Sequence, residues 1–257
     1  MTKAEIQLVR SLADKRGRAE HGLFLAEGEK LIGELRASHL RVRRIYALEG
    51  IFAGEEVETV APRDMERLSQ LKTPSNSLAL VEIPHYRLKT ADLRGQLTLA
   101  LDEVQNPGNV GTIIRLADWF GIRDILCSEG TADCFNPKVV QATMGAILRV
   151  RVHYTPLAPL LAEAAAGGIP VYGTFLEGEN IYAGELSPTG IVVMGNEGRG
   201  VTGAVAGRVT RKLFIPPWPA GRRGSESLNV PMATGIVCAE FRRQTALRSA
   251  KKGLRRR

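Results

Sequence analysis

Leu97-Thr98-Leu99-Ala100-Leu101-Asp102-Glu103-Val104-Gln105-Asn106-Pro107-Gly108-Asn109-Val110-Gly111 is the stretch on which the fold turns. Its first five residues form an apolar run suited to the interior of a parallel sheet. A short polar stretch follows, and then Ile113, Leu116, Ala117 and Phe120 recur at helical spacing, with Gly121 placed as a C-terminal cap. A strand that turns directly into a helix is the unit of an α/β sheet. The junction gathers free backbone N–H groups at the positive end of a helix dipole, which suits an anion or a polar ligand. Asn106 or Asn109 is placed to cap the helix, and Arg115 lies six residues beyond Asn109.

Downstream the alternation continues. Asp124 to Cys127 reads as a strand. Leu157, Leu160, Leu161, Ala164 and Ala165 mark a helix closed by Gly167-Gly168 before Pro170. Val171 to Phe175, Ile191 to Met194 and Lys212 to Ile215 are further strands, and a last helix runs from about Leu228 to Arg243. This order predicts a parallel sheet covered on both faces.

Two more strand ends carry unusual turns. Met194-Gly195-Asn196-Glu197-Gly198-Arg199-Gly200 packs three glycines into six residues, in the order G-x-x-G-x-G rather than G-x-G-x-x-G. No G-x-x-x-x-G-K-[ST] loop occurs. Ser227-Leu228-Asn229 precedes the last helix as a capping segment, with Pro231 in its first turn. Between that segment and Ile215 lies Trp218-Pro219-Ala220-Gly221-Arg222-Arg223-Gly224, an aromatic beside two arginines, as in loops that contact nucleic acid. Taken singly, each turn is equally a capped helix, a tight turn or a plain loop. All three fall at carboxyl ends of strands, where open α/β sheets bind ligands.

Residues 1 to about 88 read as a smaller α/β unit. Its strands are Leu23 to Ala26, Val42 to Leu48, Val57 to Val60 and Leu78 to Ile83. One helix runs over Gly28 to Ala37 and another starts at Pro62. Polar Pro84 to Gln96 reads as the linker. The division expected is residues 1–92, residues 93–245 and a basic tail over residues 246–257.

The 257 residues are 44% hydrophobic and 24% charged, the balance of a globular protein. No apolar run is long enough to span a membrane and no signal segment opens the chain, so a cytoplasmic protein is expected. Cys127, Cys134 and Cys238 form no C-x-x-C pair, and His21, His39, His85 and His153 are scattered, so neither a disulfide framework nor a metal site is expected. The net charge is +8, and the stretch from Arg242 to Arg257 holds eight Lys/Arg and no acid. Such a tail attracts polyanions by counterion release.

Together the three turns resemble the three motifs of the SpoU (TrmH-like) RNA 2′-O-ribose methyltransferases of the SPOUT superfamily. Asn106-Pro107-x-Asn109-x-Gly111 followed by Arg115 is similar to the first motif. Gly195-Asn196-Glu197-Gly198-x-Gly200 is similar to the second, and Ser227-Leu228-Asn229-Val230 to the third. The match spans roughly residues 97 to 245. Gly22 to Gly28 and Leu78 to Glu82 resemble parts of the family's L30e/L7Ae-like substrate-binding domain.

The resemblance implies a trefoil-knotted α/β domain with a parallel sheet, a homodimer, S-adenosyl-L-methionine as cofactor and RNA as substrate, ribosomal RNA ahead of transfer RNA. It carries catalytic roles onto Asn109, Arg115, Glu197, Ser227 and Asn229. It carries cofactor contacts onto Thr174, Met194, Gly195, Gly200, Ile215 and Leu228. Arg222 and Arg223 would contact RNA. The Ile215–Ser227 span is longer than the family's, and Pro217 stands where Met is frequent. A non-catalytic RNA-binding protein on the same fold is the competing expectation.

Overall fold

The computed structural model describes residues 1–219 and 226–254. The chain divides into two compact units, the first made of Met1–His85 and Asp133–Arg149, the second of Tyr86–Ala132 and Val150–Arg257.

The first unit opens with helix α1 (Lys3–Ser11), which Thr2 and Glu5 close in a capping box: Glu5 N–H donates to Thr2 Oγ1 and Thr2 N–H to the Glu5 carboxylate. Helix α2 (Lys15–His21) follows, ending at Gly22 with φ of +63°. Strand β1 (Leu23–Glu27), helix α3 (Glu29–Arg36), strands β2 (Val42–Ala47) and β3 (Val57–Thr59), helix α4 (Pro62–Leu68) and strand β4 (Ser77–Glu82) complete the run. The sheet order is β1-β4-β2-β3, with β4 antiparallel to both neighbours and β2 parallel to β3. Ile6 and Val9 of α1 and Leu12 just after it pack on Leu25, Tyr46, Leu78 and Leu80 of the sheet. In β2 the register slips at Arg43: Val42 pairs with Val81 but Arg44 pairs with Leu80, the signature of a β-bulge.

Asp133–Arg149 departs from the expected division, which kept residues 93–245 together. Its helix, later numbered α6 (Pro137–Ala142), is capped by Asn136. At the segment's end Arg149 pairs with Glu34 at 3.1 Å, and two more contacts hold its start in the first unit. Arg18, 2% exposed, donates from Nε and Nη2 to Asp133 Oδ2 at 2.9 and 2.6 Å, and from Nη1 to the carbonyls of Leu12 and Ala13. The Phe135 ring lies 4.7 Å from that of Phe24. A fully buried guanidinium is tolerated only with its charge paired and its donors spent, and Asp133 supplies that charge.

In the second unit, strand β5 (Leu97–Leu101) leads into helix α5 (Pro107–Trp119), and strand β6 (Asp124–Cys127) follows. After α6 come β7 (Arg151–Tyr154), α7 (Leu157–Ala166), β8 (Val171–Asn180), β9 (Gly190–Met194), the short α8 (Gly203–Ala206), β10 (Arg211–Phe214) and α9 (Val230–Leu254). The six strands are all parallel in the order β10-β8-β9-β5-β6-β7, the parallel sheet expected from the sequence. One face, with Ala100, Leu126, Ile191 and Val193, is covered by Leu157, Leu161 and Ala164 of α7. The alternate residues face α5 and α9, where the Tyr172 ring meets Phe241 edge-on at 5.0 Å. Among the described residues no helix is long and apolar enough to cross a membrane.

β7 escaped sequence reading because Arg151 and His153 interrupt its apolar pattern. Both are spent on Asp124, buried at the start of β6: Arg151 donates from Nε and Nη2 at 2.8 and 2.7 Å, and His153 Nε2 lies 2.8 Å from Oδ1. Burial pushes the Asp124 pKa up, but the hydrogen bonds from His153 and Arg151 outweigh it and hold the carboxyl at about 2. The folded value lies below that of an unfolded aspartate, about 3.9, so the stabilisation is complete above about pH 4 and is lost as pH falls toward 2. It is on the order of 2 kcal/mol. Thermal unfolding midpoints between pH 6 and pH 2 should therefore fall more steeply for the wild type than for Asp124→Asn. Parallel curves would refute this account.

Candidate active site

The carboxyl edge of the six-stranded sheet collects the three turns. The first is built on helix capping. Asn106 accepts from the N–H groups of Gly108 and Asn109 at 2.9 and 3.2 Å, and Pro107 occupies the first turn without wasting a donor. Capping by Asn106 leaves the Asn109 side chain free.

The second turn leaves β9 through Gly195. A Cβ there would stand 2.4 Å from both the Gly200 carbonyl carbon and the Val201 nitrogen, so the position admits only glycine. Asn196 and Gly200 exchange two backbone hydrogen bonds of 2.9 Å, with Gly200 at a φ of +68°. The Asn196 side chain accepts from the N–H groups of Gly198 and Arg199 and donates to the Glu103 carbonyl at 2.8 Å. Buried Asp102 accepts from Thr202 N–H at 2.7 Å and ties the far side of the turn to the end of β5.

The third turn reaches the site through Asn229. Its carbonyl accepts from Ala233 N–H to begin α9, the cap position expected. The side chain is not spent on the cap: Nδ2 donates to Asn109 Oδ1 at 3.3 Å. Asn109 Nδ2 in turn donates to Glu197 Oε1 at 2.5 Å. One hydrogen-bonded line, Asn229 to Asn109 to Glu197, thus joins all three turns. It leaves the second Glu197 oxygen available as an acceptor.

The remaining expected residues are placed as follows. Ser227 is exposed and takes no hydrogen bond among the described residues, so nothing yet joins it to the line. Arg115 is exposed and likewise has no partner among the described residues. Six residues along a helix correspond to about 9 Å of rise and a third of a turn away from Asn109. Arg115 therefore stands on the exposed stripe of Thr112 and Trp119. Thr174, where the regular pairing of β8 with β9 ends, donates to the Val193 carbonyl at 3.2 Å and lies 3.7 Å from the sulfur of buried Met194, which ties β8 to the end of β9. Ile215 is half-buried after β10, and Leu228 is half-exposed before α9. Arg222 and Arg223 lie outside the described residues.

Glu103 was missed. It is a non-glycine residue at φ of +60°. Its N–H donates to Ser128 Oγ, its carbonyl accepts from Asn196, and its carboxylate lies 3.7 Å from Arg199. It clips the first turn to the second. Nothing in its residue type announces a left-handed backbone, so no sequence signal could have found it.

Residues 96–239 match the SpoU rRNA Methylase family, and residues 3–79 match the MRM3-like substrate binding domain. The chain belongs to the SpoU rRNA methylase family. Among its relatives is the 23S rRNA (guanosine(2553)-2′-O)-methyltransferase RlmP of Bacillus subtilis (strain 168), 31% identical, with 91% of this chain and 94% of that protein covered. A putative RNA methyltransferase of the TrmH family from Porphyromonas gingivalis superposes with a TM-score of 0.86 at 39% identity, covering 95% of this chain and 99% of that one. An rRNA methyltransferase from Sinorhizobium meliloti, solved with bound AdoMet, gives 0.83 at 29% identity over 95% of each chain.

Proposed function

We propose that this chain transfers the methyl group of S-adenosyl-L-methionine to a ribose 2′-hydroxyl of RNA, with ribosomal RNA as the target. The observation that carries the reading is the Asn229–Asn109–Glu197 line. It brings the three family motifs to one polar point beside a glycine-only turn. The ribosomal target is supported by the activities named for the Bacillus subtilis and Sinorhizobium meliloti relatives.

The site fits the cofactor. β10, β8 and β9 are neighbours, so Phe214, Met194 and the irregular stretch of β8 that begins at Thr174 belong to adjacent strands. Gly195 and Gly200 carry no side chain at the two ends of the middle turn, which would let a ligand approach the backbone there. In this reading Thr174, Met194, Gly195, Gly200, Ile215 and Leu228 hold the cofactor, Met194 through its backbone because its side chain is buried. When bound, S-adenosyl-L-methionine supplies an electrophilic methyl group on a sulfonium.

The chain's own work is positioning. Glu197 and Asn109, held by Asn229, orient the ribose through its hydroxyls. Ser227 offers a further hydroxyl at the mouth of α9. Arg115 orients an RNA phosphate or balances charge building on the ribose oxygen. We assign RNA recognition to the first unit, methyl transfer to the second, and grip on the RNA backbone to Arg222, Arg223 and the basic tail over residues 246–257.

The test is tritiated methyl transfer to ribosomal RNA lacking the modification, followed by mapping of the ribose. Methylation that persists on RNA carrying 2′-deoxyribose at the mapped position would sink the reading. Cofactor binding without transfer to any RNA would favour a non-catalytic RNA-binding role, and transfer confined to transfer RNA would move the target. We place the enzyme in the cytoplasm, a placement that recovery of a tagged copy in an exported fraction would contradict.

We also propose a homodimer. Trp119 is 84% exposed on α5 and Met232 63% exposed on α9, two helices packed on one another. Large apolar side chains left open on a folded unit mark an interaction surface, and the family resemblance makes the partner a second copy. Trp119→Glu should shift the sedimentation coefficient from dimer to monomer. A wild-type protein that sediments as a monomer at micromolar concentration removes the dimer.

A further inference from the structure

The first unit holds a cavity of about 440 Å³. Its floor is apolar, from Leu8, Leu80 and Ile83, and its rim carries His21, Arg43, Glu82 and His85. The rim is short of negative charge. Glu82 is shared between Arg41 at 3.6 Å and Arg43 at 3.7 Å, and both guanidiniums are mostly in solvent, 82% and 71% exposed. His21 and His85 take no hydrogen bond or ion pair among the described residues. The bulge in β2 falls at Arg43, and such bulges re-aim a side chain.

Exposed ion pairs of this length contribute about 0–1 kcal/mol. A phosphate, with its charge and its fork-matching oxygens, readily takes both arginines from one carboxylate. The apolar floor asks for a flat, weakly polar group beside that phosphate. An A-form duplex keeps its bases stacked and cannot put one into a concave pocket, whereas single-stranded RNA splays bases out.

We propose that this cavity takes one unstacked nucleotide of the substrate RNA, its base against Leu8, Leu80 and Ile83 and its phosphate on Arg41 and Arg43. The proposal rests on the reading that the chain acts on RNA. It commits to a place in the first unit where the chain grips a single strand. Leu8, Leu80 and Ile83 offer a base no hydrogen-bonding side chain, so the site should accept any base.

The test is fluorescence anisotropy of labelled hexauridylate with the full-length protein, which needs no methyl transfer. Arg43→Gln should weaken binding about tenfold and lower the slope of log K against log salt by about 0.7, the share of one phosphate on a single strand. Leu8→Gln should weaken it less and leave the slope unchanged. Arg63→Gln, an equal charge change at an exposed arginine of α4 that does not line the cavity, should leave affinity unchanged. The proposal falls if Arg43→Gln binds like wild type, or if Arg63→Gln loses as much. It also falls if a blunt 16-base-pair duplex is weakened as much as the hexamer, or if uridine 5′-monophosphate binds as tightly as the hexamer, which would make this a site for a free nucleotide. A chain that binds the hexamer as described but methylates no RNA would refute the methyltransferase reading alone.

Discussion

Arg115→Ala should cost turnover roughly 10²–10⁴-fold, the span usual for a group that assists proton removal or charge balance in a transition state. Binding of S-adenosyl-L-methionine, followed by calorimetry, should change little. The structure separates the two effects. Arg115 is exposed and has no partner among the described residues, so its removal leaves no buried group unsatisfied and the unfolding midpoint should stay put. It stands on the outer stripe of α5, a third of a turn around the helix from Asn109, which reaches the glycine turn. An arginine is a poor proton acceptor, so its contribution is positive charge and directed donors rather than basicity. Arg115→Lys should then recover part of the rate, because charge returns without the planar fork. In the proposed homodimer the same stripe, with Trp119, places the guanidinium at the seam between copies. A variant with near wild-type turnover would remove Arg115 from the mechanism.

Gly195→Ala should fail differently, by losing the cofactor. The added methyl would stand 2.4 Å from two backbone atoms of the chain returning through Gly200 and Val201, and neither can swing aside as a side chain would. The turn must open, and the two Asn196–Gly200 hydrogen bonds are the first to break. At about 0.5–1.5 kcal/mol each, with strain added, an affinity loss of about a hundredfold is expected, equivalent to about 2.7 kcal/mol. Gly198→Ala is the control. A Cβ there meets only the Asn196 side-chain oxygen, at 3.7 Å, an ordinary contact. Equal cofactor affinities for the two variants would show that the narrow turn does not matter for binding.

The second unit was legible because its signals are local. Leu97–Leu101 is buried throughout its length, and the strand-to-helix turn after it needs only Asn106 to cap and Pro107 to start. Gly195 and Gly200 mark the second turn, the first because a Cβ has no room there and the second because its φ is positive. What stayed hidden depends on distant partners. β7 reads as polar because Arg151 and His153 are answered by Asp124, many residues away in sequence. Asn229 looked like a capping residue, and its side chain is instead drawn to Asn109. α9 extends to Leu254, beyond the expected end near Arg243, because its last turns carry no apolar stripe to count. Thr2 and Glu5 did announce α1 through the spacing of a capping box, a signal that went unread.

The lodging of Asp133–Arg149 in the first unit sets an order of events at the ribosome. Residues 1–85 emerge first, yet Arg18 has no carboxylate until Asp133 is made. With synthesis at roughly 5–20 residues per second, the nascent chain waits seconds with that guanidinium uncompensated. A polypeptide released at His85 would never receive it. The amino-terminal third should therefore stay open to proteases during translation and tighten only once the later segment has left the exit tunnel.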